Sequence, residues 1–223
     1  MNGSGRMRLL LVNPNTNART TALMAAIAQD AAPEGVTVQG ATAARGAPLI
    51  LDPAMLAIAG EAVQELIAAT DLSPFAGIVV AAFGDPGLDA LRAACPIPAT
   101  GIAEAAMAEA ATHGRFAVVT TTPLLVESIA RRAEAYGHGS ALAGTWLTTG
   151  DTSAVMADPD RLTAALEAAA TRALAESAVR AIIIGGGPLA AAAAALRPRL
   201  PVPVIEPVPA AVRLALFRAA PTT

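Results

Sequence analysis

The chain has no lysine: all fifteen of its basic residues are arginine. Without a side-chain amine it cannot form a Schiff base or hold a pyridoxal cofactor covalently. It has a single cysteine, Cys95, so no internal disulfide is available and a cytoplasmic location is the expectation. Its two histidines, His113 and His138, and its carboxylates are scattered. No metal site is therefore expected. Long apolar runs are missing as well. The richest stretch, Ala181–Leu196, is interrupted by Gly185-Gly186-Gly187-Pro188, short of the roughly 18–20 residues of a spanning helix. Leu9–Val12 is too short for the apolar core of a signal peptide, about 7–15 residues. Charge does not cluster either. The net value of −3 is spread along the chain, and neither a nucleic-acid partner nor a membrane surface is expected.

What is present is a repeating alternation of short β-branched runs and alanine-rich helical stretches. At 223 residues and 54% apolar content, the chain can bury a substantial core. Arg8–Val12 reads as a buried strand, followed by the loop Asn13–Asn17 and a helix to Asp30. In that loop, Asn and Thr suit a helix N-cap, behind which free amides bind an anion or carbonyl oxygen. Strands follow at Val36–Gly40, Gly77–Ala82 and Pro96–Ile102, with helices at Pro53–Ala69 and Pro86–Ala94. The helix Pro53–Ala69 is expected to face inward through Ile58, Val63, Leu66 and Ile67. The Gly- and Pro-rich connection Ala41–Pro53 has the length of a lid.

The pattern then starts again. After the helix Ala103–His113, strands are expected at Arg115–Val119, Gly144–Leu147, Arg180–Gly185 and Pro201–Glu206. Helices are expected at Leu124–Ala135, Asp158–Ser177 and Pro209–Arg218, with a loop over Thr148–Asp158. Arg8 to Arg115 spans 107 residues, Ile78 to Ile182 spans 104 and Pro96 to Pro201 spans 105. One offset held at three landmarks implies a duplicated βα unit. The fold class is accordingly α/β: two pseudo-symmetric Rossmann-like halves, each a four-stranded parallel sheet flanked by helices. The first half comprises residues 1–102 and 207–223, the second 103–206. Ligands of such sheets bind beyond the carboxyl ends of the strands. The site is therefore expected in the cleft between the halves, built from Asn13–Asn17, Ala82–Gly87, Thr120–Thr122 and Gly185–Pro188.

Those loops carry a resemblance. Val12-Asn13-Pro14-Asn15-Thr16, then Phe83-Gly84-Asp85-Pro86-Gly87-Leu88, then Val119-Thr120-Thr121 with Pro123, and more weakly Pro203-Val204-Ile205, occur in order at the right spacing. Together they resemble the aspartate/glutamate racemase superfamily, within it most closely the hydantoin and allantoin racemases. The resemblance implies a cofactor-independent isomerase that uses two cysteines on opposite faces of a substrate carbon. One thiolate removes the α-proton and the opposite thiol returns one, an exchange suited to groups that titrate near neutrality. It places the first family cysteine at Ala82 and the second at Gly186, so both thiols are absent here.

Cys95, at the far end of the helix after Gly87, does not replace them and is expected to be a buried structural cysteine. His113 and His138 are expected at the surface or as caps. By resemblance, the substrate-binding set is Asn13, Ala82, Phe83, Gly84, Thr120, Thr121, Gly186 and Gly187. Gly185–Gly187 are expected to serve binding, since three glycines exceed the needs of a turn. Asp85 is the candidate catalytic residue, with capping of the helix behind it as its structural alternative; Asp52 and Glu206 are further carboxylates near the site. The resemblance implies a small-molecule ligand, a cyclic amide or a carboxylate, and a homo-oligomer. Three readings follow: chemistry beside a carbonyl without thiols, a non-catalytic ligand-binding descendant, or a cysteine-replaced form of an active racemase.

Overall fold

The computed structural model describes residues 7–220. The first sheet contains β1 (Met7–Asn13), β2 (Val36–Thr42), β3 (Gly77–Val80) and β4 (Ala99–Gly101), in spatial order β2-β1-β3-β4. The second contains β5 (Phe116–Thr120), β6 (Leu142–Leu147), β7 (Ala181–Ile184) and β8 (Val204–Ile205), in the matching order β6-β5-β7-β8. Every pairing is parallel. The helices are α1 (Ala18–Ala31), α2 (Pro53–Ala68), α3 (Leu88–Ala94), α4 (Ile102–Ala111), α5 (Val126–Ala135), α6 (Thr152–Met156), α7 (Pro159–Glu176), α8 (Ala190–Leu196) and α9 (Pro207–Ala219). Identical strand order in two sheets is the duplication that the sequence offsets imply.

The central strands are apolar without interruption because both faces are covered. Leu9 and Leu11 of β1, Val79 of β3, Phe116 and Val118 of β5 and Ile183 of β7 point into one central core. Their alternating neighbours Leu10, Val12, Ile78 and Val80 face α2 and α3, while Ala117, Val119, Ile182 and Ile184 face α7 and α8. The central core is shared: α1, α4, α5 and α9 fill it with Met24, Ala28, Ala106, Met107, Ile129, Ala133, Ala211 and Val212. Small alanines let α4 and α9 lie close, and Arg213 of α9 clamps Glu109 of α4 at 2.8 and 2.7 Å. The second sheet is thus docked on the first through a common helical layer.

Departures from the expected elements have local causes. One edge strand of each sheet is short, β4 starting at Ala99 and β8 at Val204, because Pro96, Pro98, Pro201 and Pro203 lack the N–H a ladder requires. The first sheet's second strand instead runs on to Thr42. The helix expected from Pro86 begins at Leu88, since Gly87 sits at φ 75° and ends a turn there. Ile58 is not on the inner face of α2; it is 42% exposed, and Ala59, Ala62, Val63 and Ile67 form the buried stripe. The stretch Thr148–Asp158 is not all loop. Asp151 caps the short helix α6 by accepting from the Ala154 amide at 2.9 Å.

Candidate functional site

A cleft opens where the carboxyl ends of β1, β3, β5 and β7 meet. One wall is Ala81, Ala82 and Phe83 after β3, the other Gly185, Gly186, Gly187, Pro188 and Leu189 after β7. Ala82 and Gly186 each stand two residues beyond the end of their strand, in equivalent places of the two halves. Thr120, Thr121 and Thr122 form the floor with Asn15. Leu49 and Ile50, from the connection 43–52, line one side. Leu125 and Ile129 from the α5 side and Met156 of α6 complete an apolar lining.

Local geometry decides which candidates reach the cleft. Asn13 does not line it. Its side-chain amide donates to Asn15 Oδ1 at 2.9 Å, to the Asn17 carbonyl at 3.1 Å and to Thr21 Oγ1 at 2.9 Å, making it the buried organiser of its loop. Asn15 takes its place at the lining. The Asn15 carbonyl oxygen accepts from Asn13 and from the Asn17 amide, so its NH2 group is the part left for a ligand. The α1 N-terminus is not open to an anion in the way expected, because Asn17 caps it, accepting from Arg19 and Thr20. Thr120 lines the cleft but is committed: it donates to the Gly185 carbonyl at 2.8 Å and pairs with Thr122 at 3.2 Å. Thr121 Oγ1 has only Met156 Sδ nearby, at 3.6 Å, so its hydroxyl is available. The backbone N–H groups of Ala82, Phe83, Gly186 and Gly187 donate to no acceptor among the described residues.

Asp85 is not in the cleft. Its backbone turns at φ 49°, the one non-glycine residue with positive φ among those described, and sends the carboxylate away from the lining into the protein. There it is fully buried and accepts from the amides of Ala103 and Glu104, at 2.9 and 2.8 Å, and from Tyr136 Oη at 2.7 Å. It therefore caps α4, the next helix over, and not α3 behind it. Gly101 is glycine for this reason: a Cβ there would fall 2.1 Å from the Asp85 carboxyl carbon.

Burial pushes the Asp85 carboxyl up to about 6; the Ala103 amide, Tyr136 hydroxyl and Glu104 amide oppose the rise, and the Glu104 carboxylate adds to it. The folded protein thus keeps a proton that the unfolded chain releases near 3.8. This contribution to stability is full below that value and is lost as pH rises through about 6. Wild type measured against Asp85→Asn by thermal melts should lose roughly 3 kcal/mol of relative stability across that window. A difference that stays flat with pH would contradict it.

The glycines divide by cause. A side chain at Gly185 would meet Val118 at 2.8 Å and Phe83 at 3.0 Å, and one at Gly187 would meet Met24 Sδ at 2.5 Å and the Ala81 carbonyl at 3.0 Å. Two of the three glycines are thus required by close packing of this loop, Gly185 on Val118 of its own sheet and on Phe83, Gly187 on Met24 and Ala81. Gly186 is different: its backbone is extended and an added Cβ meets only the Leu189 side chain, at 3.0 Å. Gly84 is buried behind the lining at φ 123°, its carbonyl accepting from Arg132. Asp52 caps α2 through the Met55 amide at 2.8 Å. Glu206 lies in a separate groove with Glu109, His113, Arg197 and Arg213. Cys95 is half-buried and lies in a shallow groove with Arg92, Pro96 and Arg218, away from the cleft. The sequence reading placed Asn15 in a site loop without singling it out, and missed Leu125, Ile129 and Met156. The helical spacing of Leu125 and Ile129 was the available signal; Met156 had none.

Two parallel four-stranded sheets of like strand order, with a cleft at their strand ends, define an α/β protein. The chain belongs to the Asp/Glu/hydantoin racemase family, whose match spans residues 9–215. It is 30% identical over 213 residues to a hydantoin racemase of Paenarthrobacter aurescens, covering 94% of this chain and 89% of that protein. Among solved structures it resembles allantoin racemase from Klebsiella pneumoniae, with a TM-score of 0.89 and 33% identity over 95% of this chain and 86% of that one. Allantoin racemase from Pseudomonas fluorescens superposes with a TM-score of 0.90 and 30% identity, over 95% and 90% of the two chains.

Proposed function

We propose that this protein binds a small, uncharged cyclic amide of the hydantoin type in the cleft and does not racemise it by the two-thiol route. One observation carries the reading: among the described residues, none that lines the cleft has an ionisable side chain. Proton removal from a carbon beside a carbonyl needs a base within hydrogen-bond reach, and return from the other face needs an acid. Threonine hydroxyls and an asparagine amide supply neither near neutral pH. They do supply what a cyclic amide needs. Ring carbonyls accept from the Asn15 NH2 and from the free amides of Ala82, Phe83, Gly186 and Gly187, and ring N–H groups donate to Thr121. A carboxylate fits less well. No arginine lines the cleft, and an anion among Leu49, Ile50, Leu125, Ile129 and Met156 loses hydration without a counter-charge.

Calorimetric titration with 5-substituted hydantoins, allantoin and the ring-opened N-carbamoyl acids tests this. Saturable binding of a neutral ring is expected, with the corresponding acid weaker by at least about tenfold, a difference near 1.4 kcal/mol. Proton NMR in D2O should show C5 exchange no faster than the protein-free control. Failure of every ring to bind would remove the reading, and accelerated exchange by wild type would replace it with catalysis.

A further inference from the structure

One face of α5 joins the cleft lining to the turn behind the Phe83 wall. Leu125, Ile129, Arg132 and Tyr136 follow one another at helical spacing, four, three and four residues apart. The first two line the cleft. The second two hold the turn that follows Phe83 on the opposite wall. Arg132 Nε donates to the Gly84 carbonyl at 3.0 Å, Nη2 to the Asp85 carbonyl at 3.4 Å and Nη1 to Asp89 Oδ2 at 2.9 Å. Tyr136 donates to Asp85 Oδ2 at 2.7 Å, and the Arg132 guanidinium lies over its ring at 5.9 Å. Arg132 and Asp85 are thus joined across the two halves, while the only direct continuation of the Phe83 wall is this turn. Asp85 holds left-handed backbone, a conformation that costs a non-glycine residue free energy and persists only while its surroundings hold it.

We propose that α5 is a latch on the Phe83 wall: a ligand seated against Leu125 and Ile129 orders, through Arg132 and Tyr136, the Gly84–Asp85 turn beneath Phe83. Arg132 and Tyr136 are then positioning residues, acting on the cleft without touching the ligand. The inference rests on the cleft being a ligand site, but its structural half needs no ligand.

Hydrogen exchange read at the Asp85 and Leu88 amides, which donate to Ala82 and Asp85 carbonyls, tests both halves. Without ligand, Arg132→Gln should raise exchange in this turn about tenfold, the effect of losing a charge-assisted hydrogen bond, and leave β1 and β5 unchanged. Tyr136→Phe should give a smaller rise at the same amides. Arg132→Lys, which keeps the charge and one donor, should recover part of the protection. Arg131→Gln, at the exposed neighbouring position, is the control and should do nothing. With a 5-substituted hydantoin as probe, wild type should gain protection in the turn, whereas Arg132→Gln should bind yet gain none. Unchanged ligand-free exchange in folded Arg132→Gln would overturn the latch. A probe that binds wild type without protecting the turn would overturn the coupling, and a probe that fails to bind wild type overturns the proposed function alone.

Discussion

Placing cysteine at both Ala82 and Gly186 should confer C5 proton exchange on a 5-substituted hydantoin, on the order of 10²-fold above the protein-free control. Positioned acid–base groups contribute about 10²–10⁴-fold, and the lower bound suits thiols installed without further tuning. The two positions are equivalent by the internal duplication and line facing walls. Each accepts a side chain. Ala82 already carries a Cβ into the lining, and Gly186 has extended backbone, where a Cβ needs the buried Leu189 side chain to give by only a small shift from 3.0 Å. The neighbouring glycines do not offer this: Gly185 and Gly187 are packed against Phe83, Val118, Met24 and the Ala81 carbonyl. The single variants separate two mechanisms. One thiol alone should exchange the proton with retention of configuration, whereas the pair should also racemise. No exchange by a folded double variant that still binds the hydantoin would mean that the bound ring does not present C5 between these positions.

Asp85→Ala should lower stability by roughly 4 kcal/mol and the melting temperature by about 10 °C, since 1 kcal/mol moves a domain of this size by about 2–4 °C. The amides of Ala103 and Glu104 and the Tyr136 hydroxyl would lose their acceptor where water does not reach, at about 1–3 kcal/mol for each group left unsatisfied. Alanine also tolerates the left-handed backbone less well than aspartate. Asp85→Asn, which keeps one acceptor oxygen, should lose about half as much. Gly101→Ala should resemble Asp85→Ala from the other side, because its methyl group would occupy the carboxylate's place. A melting temperature unchanged in Asp85→Ala would show that the carboxylate is not the cap of α4.

The loop motif Phe83–Gly87 was legible as a site-forming turn, and Phe83 and Ala82 do line the cleft. The direction of Asp85 within it was not. An aspartate after a strand reads equally well as a cleft acid or a cap, and the choice depends on the amides of α4 and the hydroxyl of Tyr136, remote in sequence. The same applies to Asn13 and Asn15, which are chemically alike and two residues apart; only the buried hydrogen-bond network of α1 and β2 assigns one inward. Among the described residues, no helix is long and apolar enough to cross a membrane.

The sequence by itself determined the alternation of strands and helices, the offset that makes two equivalent sheets, and the absence of lysine and of a second cysteine. These are properties of local pattern and of composition, which no folding can alter. Tertiary structure decided the rest: the helical layer shared by the sheets, the close approach that makes Gly185 and Gly187 packing residues, and the face of α5 that joins the cleft lining to the turn behind Phe83. Each depends on segments remote in the sequence coming within contact, and side-chain periodicity reports only which face of its own element a residue occupies.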